Sequence, residues 1–188
     1  MTRRRLSLTE TEIVVGHLYG CLDACYAALG ESAPLLDDDG TVVVVFEAAR
    51  RIGERCLALR EHLAHRANVD PLAPLVEIPE IGAALRSARD VDASGAFLLF
   101  CLSTVVVPKV LISLRDTGDL LDDEAGGPLR EDLARTATTL VSVMREIGDF
   151  ARTRPTPDVD GWREVAGQLE STFALAGYGE SFGTGLAG

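Results

Sequence analysis

Residues 91–115 read VDASGAFLLFCLSTVVVPKVLISLR and contain the longest apolar run of the chain, from Gly95 to Leu114. That run is interrupted only by Ser103, Thr104, Pro108 and Lys109. A helix built from it is apolar on nearly every side, so it forms either a buried core helix or a marginal membrane span. A proline and a lysine inside the run, with acidic residues at both ends, disfavour a membrane span. We therefore predict a buried central helix and no membrane insertion.

The rest of the chain predicts amphipathic helices that surround the central one. Their apolar residues recur at intervals of four and three, which is the period of a helix with one buried face. The four valines at 42–45 also suit a strand, but the same spacing continues from Val45 to Leu63 and favours a helix. The sequence therefore predicts an all-α, single-domain bundle of five or six helices, with the surrounding helices at residues 8–29, 41–67, 80–89, 128–154 and 161–176.

Capping signals mark the ends of the first helix. Ser7 with Glu10, or Thr9 with Glu12, has the spacing of a capping box, in which a hydroxyl and a carboxylate each satisfy an unpaired backbone N–H. Gly30 suits the C-cap. We expect the first helix to end at this glycine.

The central helix has its own predicted boundaries. Asp92 suits its N-cap, and Pro108 should kink it near Thr104, because the proline ring meets the carbonyl four residues back. The acidic stretch at 117–127 predicts a linker. Pro128 then suits the first turn of the next helix.

Composition shifts divide the chain into a bundle and two tails. Residues 1–7 form a basic N-terminal tail, 8–176 the helical domain, and 177–188 a glycine-rich tail expected to be flexible. Three prolines in residues 68–79 predict a loop within the domain.

The overall charge limits the classes of partner. The chain carries a formal charge of −11, with a pI near 4.7, which opposes direct binding to nucleic acid because phosphates attract a basic surface. No apolar segment follows the N-terminal arginines, so we find no secretory signal. We expect an intracellular, cytoplasmic protein whose four cysteines are thiols.

The cysteines are the strongest candidates for metal ligands. Each falls on a predicted inward stripe, and His17 lies one turn before the first of them, so soft ligands for zinc would converge from Cys21, Cys25, Cys56 and Cys101. However, the compact Cys-x-x-Cys spacing of zinc modules is absent, and cysteine is often buried on packing grounds alone. We predict no metal and no cofactor.

The other two histidines, His62 and His65, lie at the charged end of their helix and are expected to be solvated. The paired Glu-x-x-His motifs of a di-iron bundle are absent. Phosphate-binding glycine loops and nucleophile elbows are absent as well, so we predict no catalytic residue.

Two weaker sites follow from the helix pattern. A small hydrophobic ligand would find a pocket beside the Pro108 kink, where freed carbonyls lie near a group of candidate residues, His17, Cys21, Cys101 and Thr104. The string Arg4-Arg5-Leu6-Ser7 is one that a kinase can recognise. A phosphate on Ser7 would favour the helix N-terminus electrostatically.

Four segments of the chain follow one another in a recognisable order. They read CLDACYAAL, ERCLALREHLAHR, LLFCLSTVVVPKVLISLR and LREDLARTATTLVSVMREIGDF. This order resembles the C-terminal regulatory region of fungal zinc-cluster transcription factors of the aflatoxin-regulator type. The resemblance covers about residues 18–150, and Lys109-Val110-Leu111 matches a triplet in the family's leucine-rich helix. The family's six-cysteine zinc cluster is missing, and residues 68–89 look like an insertion. The resemblance implies a nuclear regulator that acts through protein contacts, with direct DNA binding in doubt.

Together these features favour a non-catalytic regulatory or dimerisation domain, as in the control of specialised metabolism, that binds a protein partner or a second copy. The alternative is a small all-α enzyme or a hydrophobic-ligand-binding protein with a pocket near Pro108. A polar cavity would favour the alternative, and an exposed apolar patch on the first or last helix would favour the interaction domain.

Overall fold

The computed structural model describes residues 5–36, 38–63, 79–91, 94–121, 127–153 and 159–175. These residues form six helices and contain no β-strand, which confirms the predicted all-α class. The valines at 42–45 lie inside the second helix. The helices are α1 (Leu8–Ser32), α2 (Asp39–Glu61), α3 (Pro79–Asp90), α4 (Ala96–Leu120), α5 (Gly127–Arg152) and α6 (Val159–Leu175).

Helix α4 is the centre of the bundle, as its apolar run predicted. It packs against α1, α3, α5 and α6, whereas α2 packs mainly against α1 and α5. Its first turns are buried on all sides but one, with Phe97, Leu98, Leu99 and Cys101 shielded from solvent and Phe100 on the open side. Of the predicted loop at 68–79, residues 68–78 lie outside the described residues, as does the glycine-rich tail at 177–188, and Pro79 is the first residue of α3.

The ends of α4 differ from the prediction. Gly95 occupies the N-cap with φ 72°, a left-handed conformation, while Asp92 lies outside the described residues. At the other end the helix continues to Leu120, so the linker predicted from residue 117 begins later. The extra turn holds because Thr117 is buried, and because Arg130 of α5 donates hydrogen bonds to the carbonyls of Gly118 (3.3 Å) and Leu121 (3.0 Å).

Pro108 is accommodated by a π-helical turn at Leu102–Val106. In this turn the Val107 N–H donates to the carbonyl of Leu102, five residues back. A proline has no N–H to give to the carbonyl four residues back, and a wider turn relieves that mismatch. The kink predicted near Thr104 therefore takes the form of a local change of helix type.

The start of α1 confirms one of the two predicted capping boxes. Ser7 is the N-cap: its hydroxyl accepts a hydrogen bond from the Glu10 N–H (3.3 Å), and the Glu10 carboxylate accepts one from the Ser7 N–H (2.8 Å). The expected end at Gly30 is wrong, since α1 continues to Ser32. Ser32 is fully buried and donates its hydroxyl proton to the Ala28 carbonyl, which favours the extra half-turn.

Replacing the cap, Ser7→Ala, should lower the free energy of unfolding by about 1 kcal/mol, because the Glu10 N–H in the first turn loses the hydroxyl that accepts its hydrogen bond. Urea denaturation followed by circular dichroism measures this difference. Thr9→Ala is the matched control, since Thr9 lies inside the exposed first turn and should cost little. Equal losses in the two variants would contradict the assignment of the cap.

Two helical stretches, Thr9–Leu35 and Ala96–Leu120, are long and apolar enough to cross a membrane. Their most apolar windows are 56% and 61% buried inside the protein, respectively. Length and composition are weak evidence for a membrane span, because core helices of soluble proteins meet the same criteria. The absence of membrane insertion stays a prediction.

Candidate protein-interaction site

The four cysteines are reduced and buried in the core. Burial raises the pKa of the Cys101 thiol to about 12. Burial is also the main reason that the pKa of Cys56 is raised, and the nearby Asp23 carboxylate adds to it. Within the described ranges, no three His, Cys, Asp or Glu side chains lie close enough together to hold a metal ion. Cys56 and Cys101 therefore stay protonated at neutral pH, and a protonated thiol is a poor nucleophile and a poor metal ligand.

These pKa shifts predict how stability depends on alkaline pH. An unfolded thiol ionises near its usual value of 9.0, whereas the folded Cys101 thiol holds its proton to about pH 12. Above pH 9 the unfolded state thus binds fewer protons than the folded state, and stability falls as pH rises through this window. Urea midpoints measured between pH 8 and pH 12 should decrease.

Cys101→Ala is the control for that pH dependence. The variant should start less stable because it leaves a small cavity, but its midpoint should decrease less steeply with pH, since the ionisable thiol is gone. If the urea midpoints of the two proteins decreased equally steeply with pH, the ionisation of Cys101 on unfolding would not be the cause of the decrease.

The candidate ligand-binding residues differ in exposure. Cys21 and Cys101 are fully buried, and His17 of α1 is partly buried, which lowers its pKa by desolvation. Thr104 is exposed, and its hydroxyl donates to the carbonyl of Phe100 (2.7 Å). Thr104 therefore points away from the core that holds the cysteines.

His62 also differs from its expected place in solvent. Its Nε2 lies 2.8 Å from Oδ2 of Asp132, and both side chains are mostly buried where the end of α2 meets α5. His65 lies outside the described residues. His62 therefore helps to hold the end of α2 against α5. The charged residues around it in the sequence did not indicate this contact.

The outward face of α2 carries an exposed apolar stripe. Val43, Phe46 and Leu57 are 67%, 65% and 62% exposed, and their spacing places them on one side of the helix. Tyr26 of α1 extends this surface: its ring lies against Gly53, where an added Cβ would be 3.1 Å from the ring carbons. We call these four side chains, Val43, Phe46, Leu57 and Tyr26, the α2 stripe.

An ion-pair cluster lies in the middle of the α2 stripe. Arg50 binds Glu47 through two hydrogen bonds (2.6 and 2.9 Å) and also pairs with Glu54. The hydrogen bond from Arg50 lowers the pKa of Glu47 and keeps this carboxylate ionised. Exposed pairs of this kind contribute little to stability. They do neutralise Arg50, which reduces the cost of covering it with another surface.

The sequence pattern predicted a solvated charged face here, with Arg50, Arg51, Glu54, Arg55, Arg60 and Glu61 opposite the buried stripe. The charges are exposed or partly exposed, but apolar side chains lie between them. One signal was available in the sequence. Four consecutive residues cover about 300° of a helix surface, so four adjacent valines cannot all be buried on one face.

Comparisons with protein-family models, curated proteins and solved structures found no match for this chain. The class of protein is therefore defined by the fold and the surface. The described residues form an all-α bundle, and one of its helices, α2, has exposed apolar side chains on its outward face.

Proposed function

We propose that the chain is a non-catalytic dimerisation domain that serves regulation through protein contacts. The observation that supports the proposal is the α2 stripe, in which large apolar side chains share one outward face of a well-packed helix. Exposed apolar side chains that share one face of a helix are unfavourable in water and commonly mark an interaction site. The patch lies on the second helix, whereas the sequence led us to expect it on the first or last.

A second copy is a suitable partner for this face. The positions 43, 46, 50, 53 and 57 alternate steps of three and four, which is the spacing of a helix-pairing seam. In a twofold dimer the same residues of each α2 would cover each other. The net charge of −11 opposes self-association, so added salt should strengthen the dimer by screening that repulsion.

The regulatory part of the proposal rests on the resemblance to the fungal regulators. A domain of that type would act through protein contacts, and neither DNA contact nor catalysis is required of it. Control of specialised metabolism and a nuclear location belong to the same proposal.

Sedimentation velocity of the full chain at increasing protein and salt concentrations tests the dimer. The wild type should sediment as a dimer, and Phe46→Glu should shift it to monomer, because the charge would be buried without a partner. Val91→Glu is the matched control, since Val91 is exposed at the end of α3 and outside the α2 stripe. A wild type that remains monomeric at every concentration, or equal dissociation by both variants, would overturn the proposal.

A further inference from the structure

Asp23 of α1 is a partly buried acid that lies beside the α2 stripe. It precedes Tyr26 of the stripe by three residues, which makes the two side chains neighbours on one face of α1. Asp23 also interacts electrostatically with Cys56 and Arg60 of α2. Leu57 of the stripe lies between those two positions in the sequence. Asp23 therefore borders the end of the stripe that Tyr26 and Leu57 form.

The Asp23 carboxylate lacks a close partner for its charge. Within the described residues, no group donates a hydrogen bond to it or forms an ion pair with it, and Arg60 attracts it from a greater distance. Burial raises the pKa of Asp23, and the attraction to Arg60 opposes this shift without cancelling it. The ionised carboxylate is therefore poorly stabilised already in a single copy of the chain.

The titratable groups that face Asp23 come from two helices. Tyr19 lies one turn before it on α1, and Cys56 and Arg60 lie on α2. Burial is the main cause of the raised pKa of Tyr19 and of Cys56, and the Asp23 charge adds to both shifts. Tyr19 and Cys56 thus stay neutral around neutral pH, which leaves Arg60 as the charge of opposite sign near Asp23.

We propose that dimerisation through the α2 stripe takes up protons at Asp23, so that the dimer strengthens as the pH falls. This inference rests on the proposed dimerisation and adds a means of regulating the same surface. A second copy that covers Tyr26 and Leu57 also displaces water from the carboxylate beside them. Desolvation disfavours the charged form of a carboxyl group.

The direction of the pH effect follows from linkage. Because Asp23 is less solvated in the dimer than in the monomer, its pKa is higher in the dimer, and the dimer binds more protons at the same pH. A falling pH therefore favours the dimer until Asp23 is protonated in the monomer as well. In a twofold dimer each copy contributes one such carboxylate.

Net charge gives a second, unspecific dependence on pH, which two variants separate from that of Asp23. Acidification reduces the net charge of −11 and weakens the repulsion between copies whatever Asp23 does. Asp23→Asn removes the titrating group and keeps the size and shape of the side chain. Glu131→Gln is the matched control, since it removes one negative charge from an exposed position on α5, outside the α2 stripe.

Sedimentation velocity of the full chain at constant ionic strength, at pH 7 and at pH 5, measures the dissociation constant of the dimer for the three proteins. Between these two pH values the dissociation constant of the wild type should fall at least about tenfold more than that of Asp23→Asn. At pH 7 the Asp23→Asn dimer should be the tighter one, because an amide is less costly to cover than a carboxylate. Glu131→Gln should keep the pH dependence of the wild type.

The outcomes distinguish this inference from the dimer itself. A dimer that strengthens equally on acidification in the wild type and in Asp23→Asn would refute the role of Asp23 and leave the proposed dimer standing. An equal loss of pH dependence in Glu131→Gln would assign the effect to net charge and refute that role as well. A wild type that is monomeric at both pH values would refute the dimer and this inference together.

Discussion

Phe97→Ala is expected to lower the free energy of unfolding by about 3–5 kcal/mol, the largest effect of any single truncation considered for this protein. Phe97 has 0% of its surface exposed and lies in the first turn of α4, the helix that contacts four of the others. The substitution removes a whole ring from a site that the surrounding helices enclose, and a rigid core fills such a cavity only in part. Urea denaturation at constant pH measures the loss.

Phe100 provides the matched control for Phe97. The two rings stack with their centroids 6.3 Å apart, but Phe100 is 37% exposed. Phe100→Ala removes the same atoms and the same ring contact, so the difference between the variants isolates the burial of Phe97. We expect Phe100→Ala to cost about 1 kcal/mol. Similar losses in the two variants would show that α4 does not lie at the centre of the fold.

Gly95→Ala should lower the free energy of unfolding by about 2 kcal/mol. Gly95 starts α4 with φ 72°, a conformation that an alanine adopts only at a cost because its Cβ crowds the following carbonyl. An added Cβ would also lie 2.5 Å from Cδ2 of Leu36, so that side chain would have to move. Thermal and urea unfolding of the purified variant measure the effect.

Gly118→Ala in the same helix should have the opposite sign. Gly118 lies in helical conformation near the end of α4, and an added Cβ would meet no atom within 4 Å. Alanine there reduces the conformational freedom of the unfolded chain and should stabilise the protein by about 0.5–1 kcal/mol. Destabilisation by both substitutions would show that loss of glycine, and not the conformation of Gly95, is responsible.

The buried faces of the helices were predictable from periodicity. In α2, the positions Val45, Ala49, Ile52, Cys56 and Leu59 were predicted to face inward, and all five are buried. Steps of three and four return a side chain to the same side of a helix, and this geometry depends on the backbone alone. The helical state of the valines at 42–45 follows from the same period continued over the next residues.

The helix ends were less predictable, because they depend on groups distant in sequence. Helix α4 ends at Leu120, where Leu6 donates its N–H to the last carbonyl (3.0 Å). Arg130 donates to the nearby carbonyls of Gly118 and Leu121. Free carbonyls at a helix end accept whichever donor the fold brings near. The local sequence of residues 117–120 contains no information about those donors.

The candidate sites show a similar division. The cysteines were predicted to lie inward, and they do, but burial raises the pKa of Cys56 and Cys101 and so makes these two unreactive at neutral pH. Thr104 was expected beside Cys101 near a kink. The π-helical turn lies at this position, and Thr104 is exposed while Cys101 is buried.

By itself the sequence determined that this protein is helical, which helix is the most apolar, and which faces of α1, α2 and α5 are turned inward. Those properties follow from side-chain hydrophobicity and from the fixed period of the α-helix. Only the tertiary structure decided that four helices pack around α4, whereas Val43, Phe46 and Leu57 of α2 remain exposed to solvent. Periodicity shows which side chains avoid water, but the area that becomes covered depends on how many helices fit around each one.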